Sequence, residues 1–262
     1  MKDVSTSRPL RDLSLAVTLL TAVPLPARWP ADERPDVAGY FPLAGALLGS
    51  VGYVFLALAA RLGVPGGTRV SLESVMLAVL LVTMWAMLTR MLHWDALADV
   101  ADAYWGAHEP SMRLEIASDP HVGAFGVAGI VLVALVQVAA LSLLIANGFL
   151  VAVAVAVVIA RYAALFGAWL GSPAKQTGLG AVVAGRPRPA SVVAATLVFL
   201  ATLSLSWASG PGAFAAVVVC LVVALGVPHV LASRFGGITG DVLGASILLT
   251  ETASLAILAW VR

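Results

Sequence analysis

Long apolar runs separated by short polar segments dominate this chain. Seven stretches reach, or nearly reach, the length of a membrane crossing: about 40–61, 72–92, 122–146, 149–171, 190–208, 212–232 and 242–261. A spanning helix needs ~20 apolar residues at a rise of ~1.5 Å each. In lipid a helix satisfies its own backbone polar groups, which an open strand cannot do. The pattern therefore predicts an all-α, polytopic membrane bundle of about seven spanning helices. A further apolar run, 13–23, is shorter and ends in Pro24 and Pro26. Proline interrupts the helix there, so this run reads as a short N-terminal re-entrant or interfacial helix; a full span would shift the topology by one crossing. All the runs fit one bundle, and a single catalytic domain over residues 1–262 is expected.

Composition supports the bilayer as solvent. Of 262 residues, 61% are hydrophobic and 11% charged, against about 25% charged in a soluble domain. The net charge of +1 gives no basis for nucleic-acid binding. The one cysteine, Cys220, lies in an apolar run, which excludes an internal disulfide and every Cys-based metal motif. The first residues loosely mimic a signal peptide, but Asp3, Asp12 and the Pro-rich exit oppose that reading, and the segment is expected to be retained.

If 13–23 does not cross, the N-terminus and segments 24–39, 93–121, 172–189 and 233–241 share one side. That side holds Lys2, Arg8, Arg11, Arg28, Arg34, Arg90, Arg113, Lys175, Arg186, Arg188 and Arg234, while the other holds Arg61, Arg69 and Arg262. Eleven against three places the polar loops in the cytoplasm by the positive-inside rule. A multi-pass protein of the cell (inner) membrane is expected, and a homo-oligomer is compatible with it.

Charge chemistry concentrates in 93–121. Six of the fourteen acidic residues lie there, with His93, His108 and His121. Asp95, Asp99 and Asp102 stand at i, i+4 and i+7, which brings them within ~40° on one helix face. No Lys or Arg at helical spacing neutralises them. Three hard oxygen ligands of this kind suit Mg²⁺ or Mn²⁺ rather than zinc, and Mg²⁺ at a membrane face suggests phosphate chemistry. His93 and His121 flank the cluster as general-base candidates, although each also suits a hydrogen-bonding interfacial role. Arg90, Arg113, Lys175, Arg186, Arg188 and Arg234 share that face as candidate phosphate ligands, and Arg161 is the sharpest candidate of all. Arg161 lies inside a span, where an arginine needs a partner or must snorkel. Glu251, in the last span, is either its partner or a protonated carboxyl. Asp119 and Asp241 complete the acidic set on the same side.

Five ordered motifs resemble the adenosylcobinamide-GDP ribazoletransferase (cobalamin synthase) family: YFPLAGALLG (40–49), LHWDALADVAD (92–102), RLEIASDPHVGAFGV (113–127), Arg161 followed by SPAKQTGLG (172–180), and GGITGDVLGASILLTE (236–251). Ala96 and Ala103 stand where that family's acidic signature has glycine, and His121 where arginine is common. The resemblance implies a phosphotransferase of the last step in assembling cobalamin's nucleotide loop. Adenosylcobinamide-GDP and α-ribazole, or its 5′-phosphate, would be its substrates and GMP its leaving group. It further implies Mg²⁺ on Asp95, Asp99 and Asp102, phosphate clamps in Arg113, Lys175 and Arg161, and Asp119 and Asp241 as a second metal site or base.

Two alternatives stand beside it. A CDP-alcohol phosphotransferase-like lipid enzyme would share the metal logic, but Ala96 and the missing later aspartates break its signature. A cation-coupled transporter would place its ionisable groups near the bilayer midplane, where only Arg161 and Glu251 fit.

Overall fold

The computed structural model describes residues 8–26, 34–62, 69–185 and 187–261. Lys2, Asp3, Arg28, Arg186 and Arg262, used above in reading the N-terminus and the charge bias, lie outside these. The described residues form eleven α-helices: α1 (Arg8–Leu20), α2 (Phe41–Arg61), α3 (Leu72–Leu88), α4 (Leu92–Gly106), α5 (Pro110–Ile116), α6 (Ala124–Ala146), α7 (Leu150–Leu170), α8 (Leu179–Val183), α9 (Pro189–Ala208), α10 (Pro211–Phe235) and α11 (Gly240–Trp260).

Six of these, α2, α6, α7, α9, α10 and α11, are long and apolar enough to cross a membrane. Helix α3 qualifies only together with α4, and that pair bends by 91°, so the candidate crossings number six, or seven if the bent pair counts as one. The all-α membrane bundle is thus as the apolar pattern predicts.

Helices α7 and α11 form its centre, with 72% and 78% of their apolar windows buried, against 22–33% for the other spans. Small residues allow this packing. A Cβ on Gly49 of α2 would meet the Ala154 carbonyl of α7 at 2.8 Å, so the two backbones touch where any side chain would separate them. Polar contacts pin the rest. Trp85 Nε1 donates to the Leu48 carbonyl at 3.2 Å, Tyr162 Oη to the Ala195 carbonyl at 2.7 Å, and Gln137 Nε2 to Thr252 Oγ1 at 3.0 Å.

Two segments differ from the apolar pattern. The N-terminal helix starts five residues before the apolar run and, at ~20 Å long, cannot cross ~30 Å of hydrocarbon. Its buried face is Leu15, Ala16, Val17 and Leu20, together with Asp12. Its far end meets the far end of α3, where Ala22 N donates to the Leu88 carbonyl and Arg90 Nη2 to the Thr18 carbonyl. Helix α1 is thus too short to span and packs against the end of α3 that leads into α4.

The second is 72–92, which breaks at Thr89. Arg90 and Met91 take left-handed φ values of 54° and 59°, at roughly 1–2 kcal/mol per residue for non-glycine residues. The turn swings α4 off the axis of α3, so α4 lies along the polar face instead of extending the span. Its apolar side, Trp94 and Leu97, packs on Ala86 and Leu248.

Candidate active site

Segments remote in sequence meet on the polar face. Ile238 N donates to the Ser172 carbonyl at 2.8 Å, and Ala174 N to the Ile238 carbonyl at 3.0 Å. This pinch between the α7–α8 and α10–α11 loops sets Lys175–Gly180 beside Thr239–Asp241. Gly180 packs so closely on Ile238 and Thr239 that a Cβ would collide with their backbone. A cavity of about 210 Å³ results, lined by Lys175, Thr177, Gly178, Gly180, Thr239 and Asp241. Thr239 caps α11 by accepting from Val242 N at 3.1 Å, which leaves Asp241 in the first turn, where a helix N-terminus favours negative charge.

A second cavity, of about 160 Å³, adjoins this one and shares Asp241 with it. Its lining includes His93, Asp95, Leu20, Phe41 and Leu243. Asp95 is exposed, whereas Leu20 and Phe41 are buried, so the carboxylates mark the mouth and the apolar side chains the interior.

The three helix-α4 aspartates have different surroundings. Asp95 and Asp99 make no ion pair or hydrogen bond with the described residues. Burial raises the Asp99 carboxyl to about 6, with smaller contributions from the charges of Asp95, Asp241 and Asp102. Asp102 faces the N-terminus of α6, where it accepts from Gly123 N at 2.7 Å and Gly126 N at 2.8 Å. Both glycines are tight against its carboxylate, so a side chain at either would displace it. Asp102→Ala is expected to lower stability by about 1 kcal/mol, the worth of a helix N-cap, read as a drop in melting temperature.

The other candidates divide into engaged and available groups. Arg113 is buried, and its guanidinium donates to the carbonyls of Ala107 (3.0 Å) and Arg234 (2.9 Å) while lying 5.1 Å over the Tyr104 ring. It ties the α4–α5 turn to the end of α10. Arg161, near the middle of α7, is 2% exposed and pairs with Glu251 of α11. The two residues that fit a transporter are therefore each other's partners.

Lys175 is exposed, and its Nζ lies 3.0 Å from Ser118 Oγ. Asp119 and His121 form an exposed pair, with Nδ1 2.6 Å from Oδ1. The His121 backbone N–H, with its ring, holds the Asp119 carboxyl below its usual range. His93 is 3% exposed with an unpartnered Nε2, and burial, with Arg161 nearby, pushes its imidazole down to about 3. It is a neutral hydrogen-bonding group at physiological pH.

One network was not foreseen. Asp12 and Asp36 are buried. Asp12 accepts from Arg188 Nη1 at 3.2 Å and from Asp36 N at 3.2 Å, while Asp36 accepts from Arg188 N at 2.6 Å and from Ser191 Oγ. This brace locks α1 and the segment before α2 to the start of α9, and so holds the wall of the second cavity. Its sequence signal is a carboxylate at i−3 and i−4 to Leu15 and Ala16, on the apolar face of an amphipathic helix.

Among the described residues, no three His, Cys, Asp or Glu side chains form a ready cage for a metal ion. Mg²⁺ does not require one, since it keeps several waters and takes one or two carboxylates plus substrate phosphate. Asp95 and Asp99, carboxylates without an ion-pair partner among the described residues, fit that donor set, and Asp241 lies close enough for its charge to act on Asp99.

Fold and site together define a multi-pass helical membrane protein with an acidic, two-chambered cavity on one face. Residues 12–259 match the family described as cobalamin-5-phosphate synthase. Proteins named adenosylcobinamide-GDP ribazoletransferase are similar along most of the chain. The one from Frankia casuarinae is 36% identical, covering 93% of this chain and 92% of its own. Those from Corynebacterium efficiens (36%, covering 82% and 78%) and Pseudomonas savastanoi pv. phaseolicola (35%, covering 90% and 94%) agree. No solved structure matches. The chain belongs to the cobalamin-5-phosphate synthase family and is a membrane transferase of cobalamin biosynthesis.

Proposed function

We propose that this chain joins adenosylcobinamide-GDP to α-ribazole, or to its 5′-phosphate, and releases GMP. The reaction would occur on the cytoplasmic face of the cell membrane and depend on Mg²⁺. The observation that carries this reading is that Asp95, Asp241, Lys175 and the Gly178–Gly180 loop line adjoining cavities, with Asp99 close enough to feel the charges of Asp95 and Asp241. Unpaired carboxylates beside a cation and close-packed backbone suit a substrate with two phosphates.

In the reaction a ribose hydroxyl attacks the phosphorus attached to cobinamide. The new P–O bond forms as the bond to the GMP oxygen breaks, and the hydroxyl proton passes to a base. Asp95 and Asp99 would hold Mg²⁺, which when bound neutralises phosphate oxygens and the departing charge. Lys175 is placed to bind phosphate from the other wall. Asp241, at the junction of the two cavities, is placed to orient the attacking hydroxyl or take its proton.

Purified protein in detergent, given both substrates and Mg²⁺, is expected to release one GMP per corrinoid product. GMP release should stop when a chelator removes the divalent ion and resume when Mg²⁺ is restored. Robust GMP release in excess chelator would refute the metal assignment, and none under any condition would refute the reaction.

A further inference from the structure

We infer that the 160 Å³ cavity beneath Asp95 and Asp241 is the pocket for the benzimidazole ring of the entering ribazole. This rests on the transferase reading above and assigns one substrate to one chamber.

Size is the first argument. An apolar cavity of ~150 Å³ admits a benzene-sized ring, so a cavity of about 160 Å³ suits a flat heterocycle entering edge-on. It excludes a corrin outright.

Lining is the second. Leu20, Phe41, Ala164, Val183, Leu243 and Ile247 enclose the interior, and each is buried. Guanine carries donors and acceptors around both rings, and such walls would leave them unpaired at about 1–3 kcal/mol each. A benzimidazole joined to ribose through one nitrogen has an apolar body and a single remaining acceptor, the other nitrogen.

Position is the third argument. Asp95 and Asp241 line the same cavity as the apolar side chains, so with the ring inside, the ribose emerges at the mouth, beside the carboxylates where its hydroxyl must react.

The test uses the full chain in detergent and initial rates of GMP release. Free 5,6-dimethylbenzimidazole should compete with α-ribazole but not with adenosylcobinamide-GDP. Ala164→Leu and Val183→Phe narrow the cavity from two different helices. Each should raise the KM for α-ribazole about tenfold or more and leave the KM for the nucleotide substrate within about twofold.

Competition by guanosine against adenosylcobinamide-GDP that both wall variants abolish would instead assign the cavity to the leaving nucleotide. An unchanged ribazole KM in the wall variants would also overturn the proposal. Because wild-type GMP release is measured in the same assay, loss of the underlying reaction is told apart from a misassigned pocket, and the competition experiment needs no variant to fold.

Discussion

Asp99→Asn is expected to lower GMP release at least a hundredfold, the usual range for removing a group that takes part in proton transfer or charge neutralisation, while the protein stays folded. Asp99 is half-buried, has no protein cation beside it, and carries a carboxyl raised to about 6 by burial and by Asp95, Asp241 and Asp102. Asparagine keeps its volume and removes its charge. The same shift gives the wild type a pH signature. Activity should fall as pH drops through about 6, and the midpoint should move lower as Mg²⁺ is raised, because metal and proton compete for the carboxylate.

Stability should respond in the opposite sense. Between about 4 and 6 the folded state binds the Asp99 proton and the unfolded state does not, so acidification through that window stabilises the fold through this group. Acid inactivation with an unchanged or higher melting temperature is therefore expected, and the Asp99→Asn variant should melt no lower than wild type. Near-wild-type turnover in Asp99→Asn would remove this residue from the mechanism.

The spans were legible because seven apolar runs of membrane length leave the backbone no other solution in lipid. Residues 93–121 read as a polar loop because short helices along a membrane face lack a long apolar run. The i, i+4, i+7 spacing of the aspartates was the trace of α4, but it could not show that Asp102 turns to the glycine amides of α6, 21 and 24 residues on. Helical spacing reports a common face and says nothing of which neighbour that face meets. Asp241 read as part of the acidic set from its side of the membrane and its motif. Its meeting with Lys175 depends on the Ser172–Ile238 pinch between loops more than sixty residues apart, a tertiary contact with no local pattern. The motif order nonetheless identified the family, because five short segments in register are far more specific than any one of them.

Arg161→Ala is expected to act on stability and not on substrate affinity. The guanidinium is 2% exposed, pairs with Glu251, and donates to the Val157 carbonyl at 3.2 Å, all within the crossing of α7 and α11 at the centre of the bundle. Removing one member of a buried pair leaves the other charge uncompensated, at about 3–5 kcal/mol. The melting temperature in detergent should fall steeply, and the KM of both substrates should stay near wild type in protein that remains folded. Glu251→Ala should destabilise to a similar degree.

The double replacement Arg161→Met with Glu251→Leu is the decisive arm. Apolar side chains of similar volume carry no desolvation penalty, so the double variant should recover most of the lost stability, as replaced buried pairs elsewhere do. Its turnover should recover with it, since neither residue lines the two cavities. A double variant that is stable but binds the nucleotide substrate at least tenfold more weakly would show that Arg161 leaves Glu251 to clamp phosphate during turnover, and would return it to the binding site that its charge first suggested.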